Sequence, residues 1–345
     1  MSPITSIPEP EQAAIWPVVG VVMPILNEER HLEEAVTAVL AQDYPGEIEL
    51  VLALGPSHDR TDEIATLIAV REPRVRIVAN PTGRTPDALN AALAASRSDI
   101  VVRVDGHGVL DRDYVRTAYE LLQETGAANV GGLMDAEGVT PFERAVAAAM
   151  TSRLGVGSSR FHTGGVPGAT DTVYLGVFRR EWLDRLGGYD PRFVRAQDWE
   201  LNHRIRQAGG VVWFSPRLRV AYRPRASVAA LARQYRDYGR WRRVVARTHG
   251  GTINARYLSP PVVVVLVAAG AILGLVWPPA LVVPIGYLAT TTIGGLTLSG
   301  DLTARERVML PLILPTMHLS WGWGFLTSRV RIGPVVGEAA SSRRR

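Results

Sequence analysis

The sequence predicts an α/β fold built on a parallel sheet, followed by transmembrane helices in the C-terminal third of the chain. Residues 18–104 alternate between apolar runs typical of buried strands and stretches with apolar residues at helical spacing. Short connections join these elements, which favours parallel strands with right-handed crossovers. From Tyr257 to Gly300 the chain has no charged residue and no histidine, a pattern that is rare in soluble proteins.

Four strands and three helices follow one another in the first part of the chain. The predicted strands are VVGVVMP, IELVLAL, VRIVA and DIVVRV, and the helices between them are EERHLEEAVTAVLAQ, RTDEIATLIAV and TPDALNAALAAS. Thr61 is expected to cap the second helix, which has acidic residues in its first turn. Residues 152–170 are rich in glycine and serine, which indicates a long mobile loop of the kind that covers ligand clefts.

Polar clusters follow each of the four predicted strands. They are NEE, GPSHDRT, NPTGRT and DGHG, in chain order. The carboxyl ends of parallel strands meet at one edge of a sheet, and ligands bind in the crevice outside that edge. The sequence therefore predicts a ligand cleft formed by these four clusters.

Asp105 and His107 come directly after the fourth strand, with only Gly106 between them. A carboxylate and an imidazole at a strand tip suit Mg²⁺ or Mn²⁺, which take few protein ligands and complete their shell with phosphate and water. The alternative is structural, with Asp105 capping the next turn and His107 exposed. The other polar clusters at the same sheet edge favour the metal site.

Asp198, in the segment RAQDWELNHRIRQAGG, is a second candidate. Apolar spacing predicts a helix from Asp198 through Leu201, Ile205 and Ala208. As the helix N-cap, the carboxylate has a structural role. As a general base, it takes a proton from a substrate in the cleft that also holds Asp105. The residues themselves leave both roles open.

Two apolar runs in the C-terminal third, Leu258–Trp277 and Pro279–Leu298, each approach the ~20 residues that cross a hydrocarbon core. They predict two membrane spans, the alternative being a buried hairpin of a soluble protein. A third run, Val308–Thr327, contains two prolines and a histidine, and either spans or is re-entrant.

The distribution of arginine predicts how the chain is oriented in the membrane. Between Arg217 and Arg256 the chain has eleven arginines and one acidic residue, Asp237. Such a cluster marks the cytoplasmic side and favours a segment lying on anionic lipid. The N-terminus has no apolar segment of the signal-peptide type. A third full crossing would place the arginines of the tail outside, so we favour incomplete crossing for that run.

Composition excludes several classes of protein. The chain has no cysteine, which rules out disulfides, thiolate catalysis and cysteine-based zinc sites. No Gly-x-Gly-x-x-Gly follows the first strand, which argues against a dinucleotide-dependent dehydrogenase. The arginines crowd beside the apolar runs, so lipid headgroups, and not nucleic acid, are their expected partner.

Taken in this order, the motifs resemble family 2 of the inverting, GT-A-type glycosyltransferases, in particular the membrane-anchored branch that includes the succinoglycan glucosyltransferase group. The resemblance covers roughly residues 18–245. RVDGHGVL stands where the family has an Asp-x-Asp metal motif, and this branch commonly has Asp-x-His. The other segments that carry the resemblance are VVMPILNEERHLEEAV, NPTGRTPDALNAALAAS, DTVYLGVFRREWLDRLGGYDPRF, QDWELNHRIRQAGG and RQYRDYGRW.

The resemblance implies a Rossmann-like GT-A fold, a divalent cation (Mg²⁺ or Mn²⁺), a nucleotide-sugar donor and a lipid-linked acceptor. It implies that Asp198 is the catalytic base and that Asp105 and His107 bind the metal. The implied nucleotide-sugar-binding residues are Pro24, Asn27, Glu28, Gly55, Arg84, Asn90 and Asp105. The implied acceptor or juxtamembrane residues are Asp171, Gln234, Arg240 and Trp241.

Three departures from the family pattern refine these expectations. A UDP-sugar is the expected donor, but Leu54 and Gly55 stand where the family has base-reading acidic residues, which weakens the assignment of uridine. Gln197 replaces a common Glu before the base. Gln234 lies too far from Arg240 and Trp241 for the Gln-x-x-Arg-Trp motif of processive synthases, which favours transfer of a single sugar.

The predicted protein is a multi-pass membrane enzyme with its catalytic domain in the cytoplasm. It moves one sugar to a lipid-linked acceptor in cell-surface polysaccharide or glycolipid synthesis. The alternative is a non-catalytic nucleotide-sugar-binding subunit of a polysaccharide assembly complex. The predicted parts are an N-terminal tail (1–17), a GT-A domain (18–226), a basic juxtamembrane helix (227–256), a membrane domain (257–328) and a basic tail (329–345).

Overall fold

The computed structural model describes residues 16–298 and 300–332. Within them a nine-stranded sheet runs in the order β3-β2-β1-β4-β8-β6-β9-β5, and β7 pairs with β9 at one side. Most of the predicted N-terminal tail and all but the first four residues of the basic tail lie outside the described residues. The strands are β1 (Val19–Ile25), β2 (Ile48–Leu54), β3 (Val75–Ala79), β4 (Ile100–Arg103), β5 (Val109–Leu110), β6 (Asn129–Ala136), β7 (Gly168–Ala169), β8 (Tyr174–Arg179) and β9 (Val212–Tyr222).

The first four strands are parallel, as the alternation of strand and helix patterns predicts. β1 lies between β2 and β4, so that Val19 is opposite both Ile48 and Ile100. β2 pairs in turn with β3. All four strands point their carboxyl ends to the same edge, which confirms the α/β prediction and places the four polar clusters together.

The second half of the sheet is mixed. β8 runs antiparallel to both β4 and β6, whereas β6 and β9 are parallel to each other. The two-residue strands β5 and β7 each pair antiparallel with β9. The sequence analysis assigned no strands to these parts of the chain. They extend the sheet on the side of β4.

Helices cover both faces of the sheet and form a separate bundle. Their bounds are α1 (Leu32–Leu40), α2 (Thr61–Arg71), α3 (Thr85–Ala95), α4 (Tyr114–Thr125), α5 (Pro141–Met150), α6 (Arg153–Val156), α7 (Arg160–Thr163), α8 (Arg180–Leu186), α9 (Gln197–Gln207), α10 (Val228–Thr248), α11 (Ala255–Leu273), α12 (Val282–Leu296), α13 (Ala304–Arg307) and α14 (Leu310–Thr327). The expected mobile loop at 152–170 is therefore partly ordered, since it contains α6, α7 and β7.

Three apolar clusters hold these layers together. One lies between the sheet and α1, α2 and α4, and a second lies on the opposite face under α3, α8 and α9. The third joins α5, α10 and α14, and it includes Met134 of β6 and Tyr222 of β9, so the third apolar run packs against the sheet domain. The site-bearing helix α9 is thus packed on the sheet through buried Leu201 and Ile205.

Two helices, Ala255–Leu273 and the stretch Pro278–Leu296, are long and apolar enough to cross a membrane. Only 17% of each is buried within the protein, and large apolar side chains such as Val265 and Ile285 are exposed. Exposed apolar faces of this size are unfavourable in water. The structure therefore favours membrane association over a buried soluble hairpin.

The third apolar run forms α14, which packs tightly on α10. A Cβ atom at Gly239 would lie 1.9 Å from the carbonyl oxygen of Trp321, and one at Gly324 would lie 2.0 Å from that of Arg236. Arg243 Nη1 donates to the carbonyl oxygens of Phe325 and Leu326 at the end of α14. Helix α14 is thus packed on the domain that carries the sheet. Its incomplete crossing of the membrane stays a prediction.

Candidate active site

The cleft begins where the loops after β1, β2 and β3 meet. The Gly55 N–H donates to the Ile25 carbonyl oxygen over 2.8 Å, which ties the end of β2 to the end of β1. A Cβ atom at Gly55 would lie 3.1 Å from Leu26 and 3.3 Å from the Cα atom of Gly83, so the position is crowded on both sides. The three polar clusters therefore form one continuous rim. Pro24 lies in β1, opposite Ala53 of β2.

Asn27 and the loop after β2 are joined by hydrogen bonds. Asn27 has a positive φ of 55°, and its side-chain oxygen accepts from the His58 N–H over 2.9 Å. The Glu28 N–H donates to the Thr61 hydroxyl, which in turn donates to the Asp59 carboxylate. Thr61 is therefore the first residue of α2 and not its cap, which lies at Arg60. The Asp59 carboxylate is used within this loop.

Glu28 and His107 form the second part of the cleft. Glu28 Oε1 lies 2.8 Å from His107 Nδ1, across the loop that follows β4. Gly106 makes this approach possible, because a Cβ atom there would lie 2.8 Å from Glu28 Cγ and 3.0 Å from Ile25 Cδ1. The hydrogen bond with Glu28 raises the pKa of His107. A glycine between the two candidate ligands is thus a packing requirement.

These residues fit a divalent cation that is held largely by its substrate. The contact with Glu28 fixes Nδ1 of His107 and leaves Nε2 free, which is the usual arrangement for a metal-binding histidine. Only one oxygen of Asp105 is paired. No group of three metal-binding side chains occurs in the described part of the chain. Two protein ligands suit Mg²⁺ or Mn²⁺ completed by diphosphate and water.

Arg103 connects the two candidate catalytic carboxylates. Its guanidinium Nη2 lies 2.8 Å from Asp105 Oδ1, and its Nη1 forms an ion pair with Asp198 Oδ1. Only 5% of the Arg103 side chain is exposed. Burial by itself raises the pKa of Asp105, but the positive charges of Arg103, His107 and Arg195 and the hydrogen bond from Arg103 together outweigh burial, and the pKa lies below its usual value. The cleft thus brings together the proposed metal ligand and the proposed base.

Sequence reasoning missed Arg103, although a signal was present. An arginine at the end of a strand that is otherwise apolar, in the segment IVVRVDG, places a charge where burial is expected. Buried charges are retained only when they are paired. That argument would have directed attention to Arg103 and to a nearby carboxylate beyond Asp105.

The structure contradicts the N-cap role for Asp198. The N-cap of α9 is Ala196, which has a positive φ of 60°, and no side chain caps this helix. Asp198 lies inside the first turn, and its side chain is one-third exposed towards the cleft. Among the described residues its one ion pair or hydrogen bond with another side chain is that with Arg103, made by Oδ1. Oδ2 therefore remains available to a substrate.

Glu200, two residues further along α9, is unsuited to act as the base. Its side chain is 1% exposed and pairs with Arg204 over 2.7 Å. His249 Nε2 lies 3.3 Å from the same carboxylate oxygen. Burial opposes ionisation of Glu200, but its contacts with His249 and Arg204 lower its pKa overall. Glu200 therefore fastens α9 to the end of α10.

Arg84 and Asn90 have partners within the protein. Arg84 Nε pairs with Asp87 over 2.7 Å at the start of α3. The side-chain amide of Asn90 bonds both the carbonyl oxygen and the N–H of Tyr189, at 2.7 and 2.9 Å. Asn90 thereby positions the loop around Tyr189. Direct contact of either residue with a nucleotide sugar remains a prediction.

The four predicted acceptor residues are distributed over two places. The side-chain amide of Gln234 donates to the Tyr222 hydroxyl over 2.7 Å, and the Tyr222 ring lies 6.4 Å from that of His107. Trp241 packs in an apolar cluster with Phe193, next to the start of α9. These two residues adjoin the cleft. The other two are Arg240, which pairs with Asp237, and Asp171, which accepts from the Tyr257 hydroxyl.

The expectation that the arginine-rich segment lies on the bilayer is wrong for Arg242. Its side chain is buried, between the rings of Trp199 at 4.1 Å and Tyr257 at 3.7 Å. Arg243 also bonds within the protein, to the end of α14. Arg233, Arg236 and Arg247 on the same helix are exposed and remain available to a membrane surface.

Comparison with known proteins gives the family. Residues 20–187 match the model of glycosyl transferase family 2. Over 309 residues the chain is 33% identical to the succinoglycan biosynthesis protein ExoA of Rhizobium meliloti, which covers 88% of this chain and 93% of that protein. These matches favour an enzyme over the non-catalytic alternative.

More distant relatives agree. A dolichyl N-acetyl-α-D-glucosaminyl phosphate 3-β-D-2,3-diacetamido-2,3-dideoxy-β-D-glucuronosyltransferase of Methanococcus voltae is 22% identical over 251 residues, 70% of this chain and 77% of that protein. The solved mannosyltransferase PcManGT of Pyrobaculum calidifontis, in complex with GDP-Man and Mn²⁺, has the same fold, with a TM-score of 0.59, 22% identity, and coverage of 92% of this chain and 89% of that one. The protein described here belongs to glycosyl transferase family 2 and is a glycosyltransferase with a GT-A fold.

Proposed function

We propose that this enzyme transfers a single sugar from a nucleotide-sugar donor to a lipid-linked acceptor at the cytoplasmic face of a membrane, with inversion at the anomeric carbon. The observation that carries the proposal is the pair of ion contacts from buried Arg103 to Asp105 and Asp198. This pair of contacts supports a single cleft in which Asp105 serves the metal and Asp198 serves proton transfer. The remaining oxygen of each is free of other side chains in the described residues.

Asp198 is the proposed base. A carboxylate at the cleft rim accepts the proton of the acceptor hydroxyl while that oxygen attacks the anomeric carbon. Attack comes from the face opposite the leaving diphosphate, and a single displacement inverts the configuration, as in other inverting sugar transfers. Because Arg103 holds Oδ1, Oδ2 of Asp198 is the atom that takes the proton.

Asp105 and His107 are the proposed protein ligands of a divalent cation, with Glu28 orienting His107. When bound, such a cation neutralises negative charge on the diphosphate as the sugar leaves. The relative PcManGT was solved with GDP-Man and Mn²⁺, which supports a nucleotide-sugar and metal site in this fold. The base of the donor stays open, because Leu54 and Gly55 occupy the positions expected for base-reading acidic residues.

The membrane hairpin supports a lipid-linked acceptor. Helix α11 begins next to the catalytic domain, and the segment after α12 returns to it through the ion pair of Glu306 with Arg144. A sugar acceptor anchored in the bilayer would therefore meet the cleft at the membrane surface. The names of two relatives describe succinoglycan biosynthesis and transfer to a dolichyl-linked sugar phosphate, which agrees with such an acceptor.

A donor screen tests the proposal. Detergent-purified full-length protein is incubated with Mn²⁺, a panel of nucleotide sugars and a lipid extract of the source cells. We expect one donor to give a glycosylated lipid. Asp198→Asn should slow transfer by about 10²-fold or more, because it keeps the shape and removes the basicity. Transfer by Asp198→Asn at the wild-type rate would exclude Asp198 as the base, and turnover of none of the donors would contradict the proposed reaction.

A further inference from the structure

We propose that a polar cavity at the start of α11 binds the phosphate of the lipid-linked acceptor. The inference rests on the proposed function and adds a second anion site, separate from the Asp105 cleft. The cavity has a volume of about 450 Å³ and opens to solvent between the segment 158–171 and the residues that begin the first candidate membrane helix. The side chains that carry the argument are Arg160, Asp171, Asn254 and Arg256, which all line it.

Two arginines in the cavity wall are free to bind an anion. No carboxylate of the described chain lies within ion-pair distance of Arg160 or Arg256. Arg160 Nη1 donates to the Ala169 carbonyl oxygen over 3.2 Å, and Arg256 Nη2 donates to the Tyr257 hydroxyl over 3.1 Å. Each guanidinium has five N–H groups, so most of these donors are unused. The wall contains two arginines and one carboxylate, that of Asp171, so its net charge is positive.

A third arginine stands behind this wall. Arg242 is 6% exposed, and its Nε and Nη1 have no hydrogen-bond partner in the residues described. It stacks on the Tyr257 ring, whose hydroxyl donates to Asp171 of the cavity wall. Burial lowers the pKa of Arg242 to about 10, which still leaves it charged at neutral pH. Its Nη2 donates to the Thr252 carbonyl oxygen, and Asp171 acts on it electrostatically without forming an ion pair among the described residues. An anion in the cavity would therefore further stabilise this buried charge.

The position of the cavity favours a phosphate on a lipid. Asn254 caps the helix Ala255–Leu273, its side chain accepting from the Tyr257 N–H over 3.2 Å. The cavity therefore lies where the apolar stretch begins, which would correspond to the level of the lipid headgroups if α11 crosses the bilayer. Arginine forms charge-assisted and bidentate hydrogen bonds with phosphate oxygens. A phosphate-linked sugar lipid would place its phosphate here and its apolar chain along the membrane helices.

The same cavity is connected to the proposed base. Trp199, the residue after Asp198, stacks on Arg242. Thr172, the residue after Asp171, accepts from the side-chain amide of Asn202 on α9 over 3.0 Å. Helix α9 thus carries the base and contacts both the arginine and the wall. A phosphate fixed in the cavity would hold the acceptor sugar at a set distance from Asp198.

A phosphate site favours one class of acceptor, the phosphate-linked sugar lipids, over neutral glycolipids. A sugar attached through phosphate or diphosphate to a lipid fills the cationic cavity, whereas a neutral glycolipid offers no charge to Arg160 and Arg256. The enzyme should therefore discriminate by the linkage between sugar and lipid as well as by the sugar. The basic surface of α10, with exposed Arg233 and Arg236, attracts anionic lipid in general and does not make this distinction.

The variant Arg160→Gln/Arg256→Gln tests the site, with Arg160→Gln alone as a milder second variant on an exposed side chain. Arg153→Gln is the matched control, because Arg153 is exposed in the same segment and does not line the cavity. Transfer is measured to a phosphate-linked sugar lipid and to a neutral glycolipid with the same sugar. We expect the double variant to raise the acceptor KM for the phosphate-linked lipid at least 10-fold, and the control to match wild type.

Competition distinguishes the sources of phosphate. Inorganic pyrophosphate also competes with the donor at the proposed metal site, so inhibition is measured at saturating donor. There it should be competitive with the phosphate-linked lipid in wild type, and the double variant should lose this lipid-competitive component. Equal acceptor KM values for wild type and double variant would overturn the proposal. So would inhibition by vesicles of anionic phospholipid as strong as that by pyrophosphate, which would make the cavity a general headgroup site.

Binding without turnover separates this inference from the proposed function. Pyrophosphate binding is measured by calorimetry in the absence of donor, on protein whose unfolding transition matches wild type. If no donor is turned over, the proposed function fails. A difference in pyrophosphate affinity between wild type and the double variant would still support the cavity, and equal affinities would refute it.

Discussion

Replacing Arg103 by methionine tests whether one buried side chain organises the catalytic cleft. Methionine has a similar length and no charge, so the substitution removes both ion pairs and leaves the packing of β4 largely intact. Asp105 and Asp198 then face each other across the cleft without a cation between them. We expect a moderate loss of stability, a large loss of transfer rate and no loss of metal binding.

The expected loss of stability in Arg103→Met depends on how exposed the two carboxylates are. Removing one partner of a buried ion pair costs about 3–5 kcal/mol. The Asp105 and Asp198 side chains are 22% and 33% exposed, so water partly solvates them and the cost falls to the lower end of this range, about 3 kcal/mol. Displacement of the base should slow transfer by about 10²-fold. The lost guanidinium charge had repelled a cation at Asp105, so the Mn²⁺ affinity should hold or increase.

Three measurements check this expectation. Urea unfolding gives the loss of stability, electron paramagnetic resonance gives the Mn²⁺ affinity, and single-turnover transfer gives the rate. Arg103→Lys retains the charge, but one ammonium cannot bridge both carboxylates as a planar guanidinium does, so only stability should be partly restored. A fully active Arg103→Met, or one that has lost Mn²⁺ binding with its fold intact, would refute the bridging role.

Three further substitutions follow from the same geometry. Asp105→Ala should abolish transfer and Mn²⁺ binding and, because buried Arg103 keeps Asp198 as its other carboxylate partner, should lower stability by only about 2–3 kcal/mol with the fold retained; full activity of this variant, or of wild type in excess EDTA, would remove the metal assignment. Gly106→Ala should push Glu28 away from His107 and weaken Mn²⁺ binding, whereas Gly126→Ala, at a left-handed helix end away from the cleft, should affect only stability. Glu200→Gln should cost about 2–3 kcal/mol in urea unfolding, because it uncouples a buried carboxylate from Arg204. An unchanged transition midpoint would show that this pair contributes nothing.

The sequence predicted the parallel half of the fold because the physics there is local. β1 to β4 are continuous apolar runs with helices of clear spacing between them, and their carboxyl ends must meet at one edge. This reasoning placed Asp105 and His107 at the cleft. It made no strand assignment for β5 to β9, whose pairing depends on contacts distant in sequence, such as that of Asn129 in β6 with Val212 in β9.

Individual side-chain partners were harder to predict. The residues left Asp198 open as a helix cap or as a base, since acidic residues favour helix starts. In the structure the chain enters α9 through a left-handed Ala196, and Asp198 contacts Arg103. Arg242 looked like a surface arginine because it belongs to a basic run. Its burial depends on Trp199 and Tyr257 arriving from two other helices. Neither arrangement has a signature in local spacing.

The arrangement of α9 explains why a soluble sheet fold is joined so firmly to a membrane hairpin. One face of this helix presents Asp198 to the donor cleft, and the next residue, Trp199, packs on Arg242 of α10. Arg242 in turn stacks on Tyr257, in the first turn of α11. A displacement of α11 in the bilayer by one ångström would therefore reach the base through two ring contacts. Positioning errors of that size are costly in sugar transfer, since the acceptor oxygen must lie in line with the breaking bond. The close packing of α14 on α10 restrains the same junction from the other side. If Asp198 is the base, as we propose, the apolar helices therefore contribute to its position as well as to membrane association.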